Sequence, residues 1–206
     1  MKPIQLFSLL LFSCSTVNAE PFSLEYQGFY QRLKQVNSGN YQLVEVAFSV
    51  AKSDSCNVID GTISTEKESY PLTITDDQRV FLPYEAKLKS DRAQINLNVA
   101  GDATTCSIEM QVRAKTTKRK YQQTELNQIQ AEMNALLSMM QGFPMRYFSD
   151  DISGLTFTFN GEAVITLDAN QIPVTNSYHL ERKQIEQLSS IEFSQPPKVI
   201  SPWIVK

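Results

Sequence analysis

The sequence predicts an α+β fold: mainly an antiparallel β-sandwich, with a long helix, a C-terminal β-hairpin and an extended tail. Three observations predict it. Six short stretches from Val44 to Ala114 alternate apolar and polar residues and are separated by polar turns, the spacing of sandwich strands. Tyr121 to Gln141 carries apolar residues at helical spacing. Asn160-Gly161 sits between two alternating runs, the pattern of a type I′ hairpin.

The chain opens MKPIQLFSLLLFSCSTVNA. Lys2 gives a positive start, and Leu6 to Phe12 is apolar apart from Ser8. Val17 and Ala19 place small residues where a signal peptidase reads them. Residues 1–19 therefore read as a cleaved signal peptide of a secreted, periplasmic protein whose mature chain starts at Glu20. The apolar run is shorter than the ~20 residues a membrane span needs. The rival reading is a lipoprotein anchored at Cys14, which follows Leu11-Phe12-Ser13. No transmembrane segment is expected after the leader. Residues 20–117 read as an N-terminal helix and the sandwich. Residues 118–206 read as a helix, a hairpin and an extended tail, either separate or packed as one unit with the sandwich.

The elements follow in order. Tyr26, Phe29, Tyr30, Leu33 and Val36 share one helical face, and Ser38-Gly39-Asn40 ends that helix. Val44, Val46, Phe48 and Val50 share one face of a first strand. Cys56 to Thr65 is a second, with Ile59, Gly61 and Ile63 on one side. Tyr70, Leu72 and Ile74 mark a third, and Asp76-Asp77 a turn. Val80, Leu82 and Tyr84 mark a fourth, stopped near Pro83. Ala93, Ile95, Leu97 and Val99 mark a fifth, ended by Gly101-Asp102. Cys106, Ile108, Met110, Val112 and Ala114 mark a sixth.

The long helix carries the stripe Leu126, Ile129, Met133, Leu137 and Met140, with Leu136 beside it, and stops at Gly142 and Pro144. The stripe is short of the three to four heptads a coiled coil needs, so it is expected to pack on its own chain. Leu155 to Leu167 forms the hairpin about Asn160-Gly161, and Glu181 to Leu188 a short helix. Pro196, Pro197 and Pro202 keep the tail extended.

Three cysteines are present, and Cys14 leaves with the leader. Cys56 and Cys106 remain, an even pair in an oxidising compartment, and are expected to form a structural disulfide. They lack the C-x-x-C spacing of a redox pair. The pair invites an immunoglobulin reading, but no Trp lies between them and Thr104 stands where a corner Tyr is expected.

Composition excludes several chemistries. Seven glycines, none closer than seven residues to the next, form no dinucleotide, phosphate-loop or nucleophile-elbow motif. One histidine, His179, rules out a multi-histidine zinc site, and no cofactor or metal is implied. No Ser is selected as its nucleophile partner, so no catalytic residue is named. Asp76-Asp77 and Asp150-Asp151 read as turns and lack Ca²⁺-loop spacing. Arg113, Lys115, Lys118, Arg119 and Lys120 form the densest basic stretch, read either as a solvated junction or as a contact for an anionic envelope component or a partner. A net charge of −3 without a basic stripe argues against nucleic acid.

The segments EYQGFYQRLKQVN, FLPYEAKLKSDRAQINLNV and SPWI together resemble an uncharacterised family of exported proteins from marine gammaproteobacteria, catalogued as a domain of unknown function. The resemblance implies a Gram-negative periplasm and transfers no ligand or catalytic residue. The expected function is therefore non-enzymatic binding of an envelope component or an envelope protein. The alternative is a carboxylate-dependent hydrolase of an envelope polymer.

Overall fold

The structure, a computed structural model, describes residues 19–51, 53, 56–142 and 150–205. Cys14, most of the leader and Pro144 lie outside the described residues.

The chain begins with β1 (Ala19–Glu25), which runs directly into α1 (Tyr26–Gly39). Asn40 closes α1 in the left-handed conformation, a backbone geometry Asn tolerates. Then come β2 (Val44–Val50), β3 (Cys56–Ser64), β4 (Ser69–Pro71), β5 (Thr73–Ile74) and β6 (Arg79–Phe81). The short α2 (Ala86–Ser90) precedes β7 (Gln94–Gly101) and β8 (Ile108–Ala114). The second half holds β9 (Lys120–Gln122), α3 (Gln123–Gln141), β10 (Gly154–Leu167), β11 (Asn170–Glu181), α4 (Arg182–Ile185), β12 (Ser190–Phe193) and β13 (Val199–Trp203).

All strand pairs are antiparallel, in three sheets. The first has the order β1-β7-β3-β4 and the second β5-β6-β2-β8. The third has the order β11-β10-β12-β9, with β13 also paired to β10. The chain passes repeatedly between the first and second sheets, with its shortest crossing at Leu72, between β4 and β5.

Two apolar cores organise these layers. The first lies between the first and second sheets. It joins Val58, Ile63, Ile95, Leu97 and Val99 to Val50 and Val80, and α1 adds Tyr26 and Tyr30. The second joins Val44, Val46 and Phe48 of β2 to Leu126, Ile129, Met133 and Leu136 of α3 and to Phe157, Ile165 and Phe193 of the third sheet. A strand of the N-terminal half thus shares a core with the C-terminal elements. Each α3 side chain so buried contributes roughly 1.5–3 kcal/mol of transfer free energy.

Several sequence expectations need correction. Asn160-Gly161 does not close the hairpin, because β10 runs straight through it. The turn is Asp168-Ala169, both at positive φ (44° and 83°), between the paired residues Leu167 and Asn170. Gly161 instead takes φ 85° where the β10–β11 register shifts, so the glycine serves a bulge. Ile59 does not share a face with Gly61 and Ile63. A register shift between Val58 and Asp60 changes the parity and leaves Ile59 53% exposed.

The third predicted strand is split between two sheets, and the sixth starts at Ile108 rather than Cys106. Tyr121 lies in β9, ahead of the long helix. In the helix stripe it is Leu136 that is fully buried, while Leu137 and Met140 are half-buried. No expected element corresponds to β1, α2, β9, β11 or β12. The predicted disulfide is present: Cys56 and Cys106 are bonded with Cα atoms 5.5 Å apart, tying the start of β3 to the turn before β8.

Candidate functional site

The residues that sequence singled out for chemistry are not gathered in one place. His179 lies on β11 opposite Thr156 of β10, whose hydroxyl is 2.9 Å from its Nδ1. Its ring stacks on Trp203, with centroids 5.1 Å apart and an interplanar angle of 19°. Thr156 and Trp203 therefore fix the imidazole, and among the described residues no carboxylate is seen orienting it as a catalytic base requires.

Asp76-Asp77 forms the expected turn, whereas Asp150-Asp151 lies in irregular backbone outside any turn. Asp77 accepts from the Thr75 hydroxyl and pairs with Lys198 at 3.6 Å. The Thr75 hydroxyl holds the Asp77 carboxyl below its ordinary range, with Lys198 helping. Asp151 pairs with Arg182 at 3.2 Å. Glu68 and Asp102 are also pulled down, by the Lys87 ammonium with the Tyr70 hydroxyl and by the Thr104 hydroxyl respectively. A general acid needs the opposite displacement. Among the described residues no group of three or more His, Cys, Asp or Glu could hold a metal ion.

The basic stretch is largely occupied internally. Arg113 pairs with Glu45, Lys118 with Glu125, and Lys120 with Glu192. The Lys115 ammonium donates to the Tyr41 carbonyl. The aromatic cluster near the start of α1 is core: Tyr26 and Tyr30 are buried and Phe29 packs edge-on against Phe48 at 5.1 Å.

An apolar concavity lies elsewhere, at the open edge between the first and second sheets. A cleft of about 510 Å³ is bordered by Tyr70 and Pro71 of β4, Phe81 of β6 and the following Leu82 and Pro83, with Leu88 of α2 at its base. Glu85 supplies its one carboxylate. Tyr70 and Phe81 are 48% and 43% exposed. Local structure holds both rings in place. The Tyr70 hydroxyl donates to Glu68 at 2.9 Å, and Glu68 also pairs with Lys87 at 3.1 Å. The Arg79 guanidinium sits 4.2 Å over the Phe81 ring.

Tyr26 fixes the wall behind them. Its buried hydroxyl donates to the Pro83 carbonyl and accepts from the Glu85 N–H at 3.2 Å. Burial raises the Tyr26 pKa, so the phenol stays protonated and keeps that donor. Sequence reading placed Tyr70 and Tyr84 in strands and assigned neither to a site. The available hint was FLPY, where apolar residues continue past the end of a strand; Leu82 packs against the core and Phe81 stays exposed.

No helix among the described residues is long and apolar enough to cross a membrane. No curated protein and no solved structure matches the chain. One family model matches residues 18–159, which takes in the segments at 25–37 and 81–99 and leaves out 201–204. The matched stretch contains the first two sheets, the cleft between them and α3, and it ends within β10. By that match the chain belongs to the family described as protein of unknown function DUF2987.

Proposed function

We propose that this protein is exported to the periplasm and acts by binding rather than catalysis, taking an extended apolar segment of an envelope protein into the cleft beside Tyr70 and Phe81. The exposure of those two rings around an apolar cleft carries the reading. Aromatic side chains that fill pockets dominate binding energy at interfaces and are otherwise sparse on surfaces. The flanking edge strands do not offer a strand-addition site. β4 has three residues and ends in Pro71, and β5 has two. Recognition therefore falls to side chains. Glu85 favours a segment that is neutral or carries a basic residue.

Export rests on the leader pattern and on the Cys56–Cys106 bridge, a bond suited to an oxidising compartment. Cleavage after Ala19 is compatible with the fold. The pairs from Glu20–Val99 to Glu25–Gln94 remain when Ala19 is removed. The carboxylate hydrolase alternative wants a carboxyl with a raised pKa, and Glu68, Asp77 and Asp102 are displaced the other way.

Selection of peptides from a random displayed library on the folded, oxidised chain tests the reading. The expected result is enrichment of apolar segments whose binding weakens at least about tenfold when Tyr70 and Phe81 are both changed to Ser, with the melting temperature held. Peptides that bind the double variant as well as the parent place the binding surface elsewhere. Failure to enrich any peptide removes the polypeptide ligand.

A further inference from the structure

A second concavity, on the third sheet, is built from different chemistry. The register aligns Trp203 of β13, Gly154 of β10 and Glu181 of β11 in one row across three strands. The neighbouring row is Ser201, Thr156 and His179. Residues aligned across a sheet, and those two along a strand, stand on the same face. Gly154 contributes no side chain between Trp203 and Glu181. A Cβ there would meet the Leu180 carbonyl oxygen at 2.0 Å, so no other residue fits without moving β11. Beside this row lies a groove of about 430 Å³, bordered by Trp203 and Val205 on one side and by Asp151, Ser153, Glu181, Arg182 and Lys183 on the other.

The groove is held from both sides. Ser153 donates its N–H to the Trp203 carbonyl at 2.7 Å and accepts from the Arg182 N–H at 2.8 Å. The indole is stacked on His179, itself bonded to Thr156. The Arg182 guanidinium pairs with Asp151 at 3.2 Å and donates to the Ile152 carbonyl at 2.8 Å. Glu181 and Gln184 form a reciprocal capping box that steadies the Glu181 side chain. A rigid, half-buried indole therefore sits beside planar carboxylate and guanidinium groups whose charges balance, two acidic against two basic.

We infer that this groove binds a neutral saccharide, with a sugar ring stacked on Trp203 and its hydroxyls bonded by Asp151, Glu181 and Arg182. The π-face of an indole carries negative potential, which suits the C–H groups of a pyranose face. Adjacent sugar hydroxyls match the two-pronged geometry of carboxylates and guanidinium. A balanced set of charges gives an anionic glycan no net attraction. This site is separate from the cleft beside Phe81 and does not depend on it.

Trp203 is the only tryptophan of the chain, so its fluorescence reads this groove alone. The test titrates the oxidised protein with neutral tetrasaccharides built from glucose and from N-acetylglucosamine, with an oligogalacturonate as the anionic comparison. The expected result is a saturable change with a neutral glycan, weakened about tenfold by Glu181→Ala and by His179→Ala. Phe81→Ser leaves it unchanged. The melting temperature of each variant separates loss of binding from loss of fold. Absence of any saturable response up to about 10 mM overturns the inference, as does a response that both variants retain or one confined to the anionic glycan.

Discussion

The side-chain amide of Gln78 pairs with both backbone groups of Val58: its Oε1 accepts the Val58 N–H and its Nε2 donates to the Val58 carbonyl. The pairing falls at the register shift in β3, and the Gln78 carbonyl meanwhile accepts from Val50 of β2. One buried side chain thus stands in for a missing strand neighbour and links the first sheet to the second. Gln78→Ala leaves two buried backbone groups unpaired. It should cost roughly 2–4 kcal/mol. Urea unfolding at neutral pH checks this, and a loss below half that range means water replaces the amide.

The Cys56–Cys106 bridge ties the start of β3 to the turn ahead of β8. Cys106→Ala should lower stability by roughly 2–5 kcal/mol. Unfolding of parent and variant, both with and without reductant, checks it. Reductant should bring the parent to the level of the variant.

The bulge glycine and the turn alanine of the hairpin make opposite predictions. Ala169 holds φ 83°, so Ala169→Gly should stabilise by about 0.5–1 kcal/mol. Gly161 holds φ 85° at the bulge, so Gly161→Ala should destabilise by about 1–2 kcal/mol. Thermal melts of the two variants decide whether the chain turns at 168–169.

Tyr121 is buried among Phe157 and Phe193, and that burial pushes its phenol up to about 12 against the Lys118 N–H bond that favours ionisation. The folded chain keeps the proton that an unfolded chain releases near pH 10. The stabilisation is therefore complete below about pH 10 and is lost as pH rises towards 12. Unfolding free energies at pH 8 and pH 11 should fall less steeply for Tyr121→Phe than for the parent.

Met133 is fully buried where α3 meets β2 and the third sheet. Met133→Ala should cost roughly 2–5 kcal/mol and leave the oligomeric state unchanged. Sedimentation of the variant beside a thermal melt separates a core role from an interface role.

What sequence disclosed follows the strength of local pattern. β7 was legible because Ile95, Leu97 and Val99 alternate without interruption and all face the core. α1 and α3 were legible from helical spacing, although Leu136 rather than Leu137 proved the inner residue. Asn160-Gly161 misled because a bulge and a type I′ turn both call for positive φ, and only the paired strand distinguishes them. β9 and β12 have three and four residues and are strands only because they pair with each other and with β10. The candidate cleft was invisible for the same reason. Tyr70 and Phe81 come from strands of different sheets, and Trp203 reaches His179 only through the pairing of β13 and β11 on β10.

The proposed binding at the cleft is tested most directly by a photoreactive phenylalanine analogue placed at Phe81 in cells that express the full chain with its leader. Phe81 borders the cleft, whereas Val164 is exposed on β10 and serves as the comparison position. The account predicts one defined crosslinked protein from position 81, lost on Tyr70→Ser and absent from position 164. No crosslink at 81, or the same product in equal yield from 164, would contradict it.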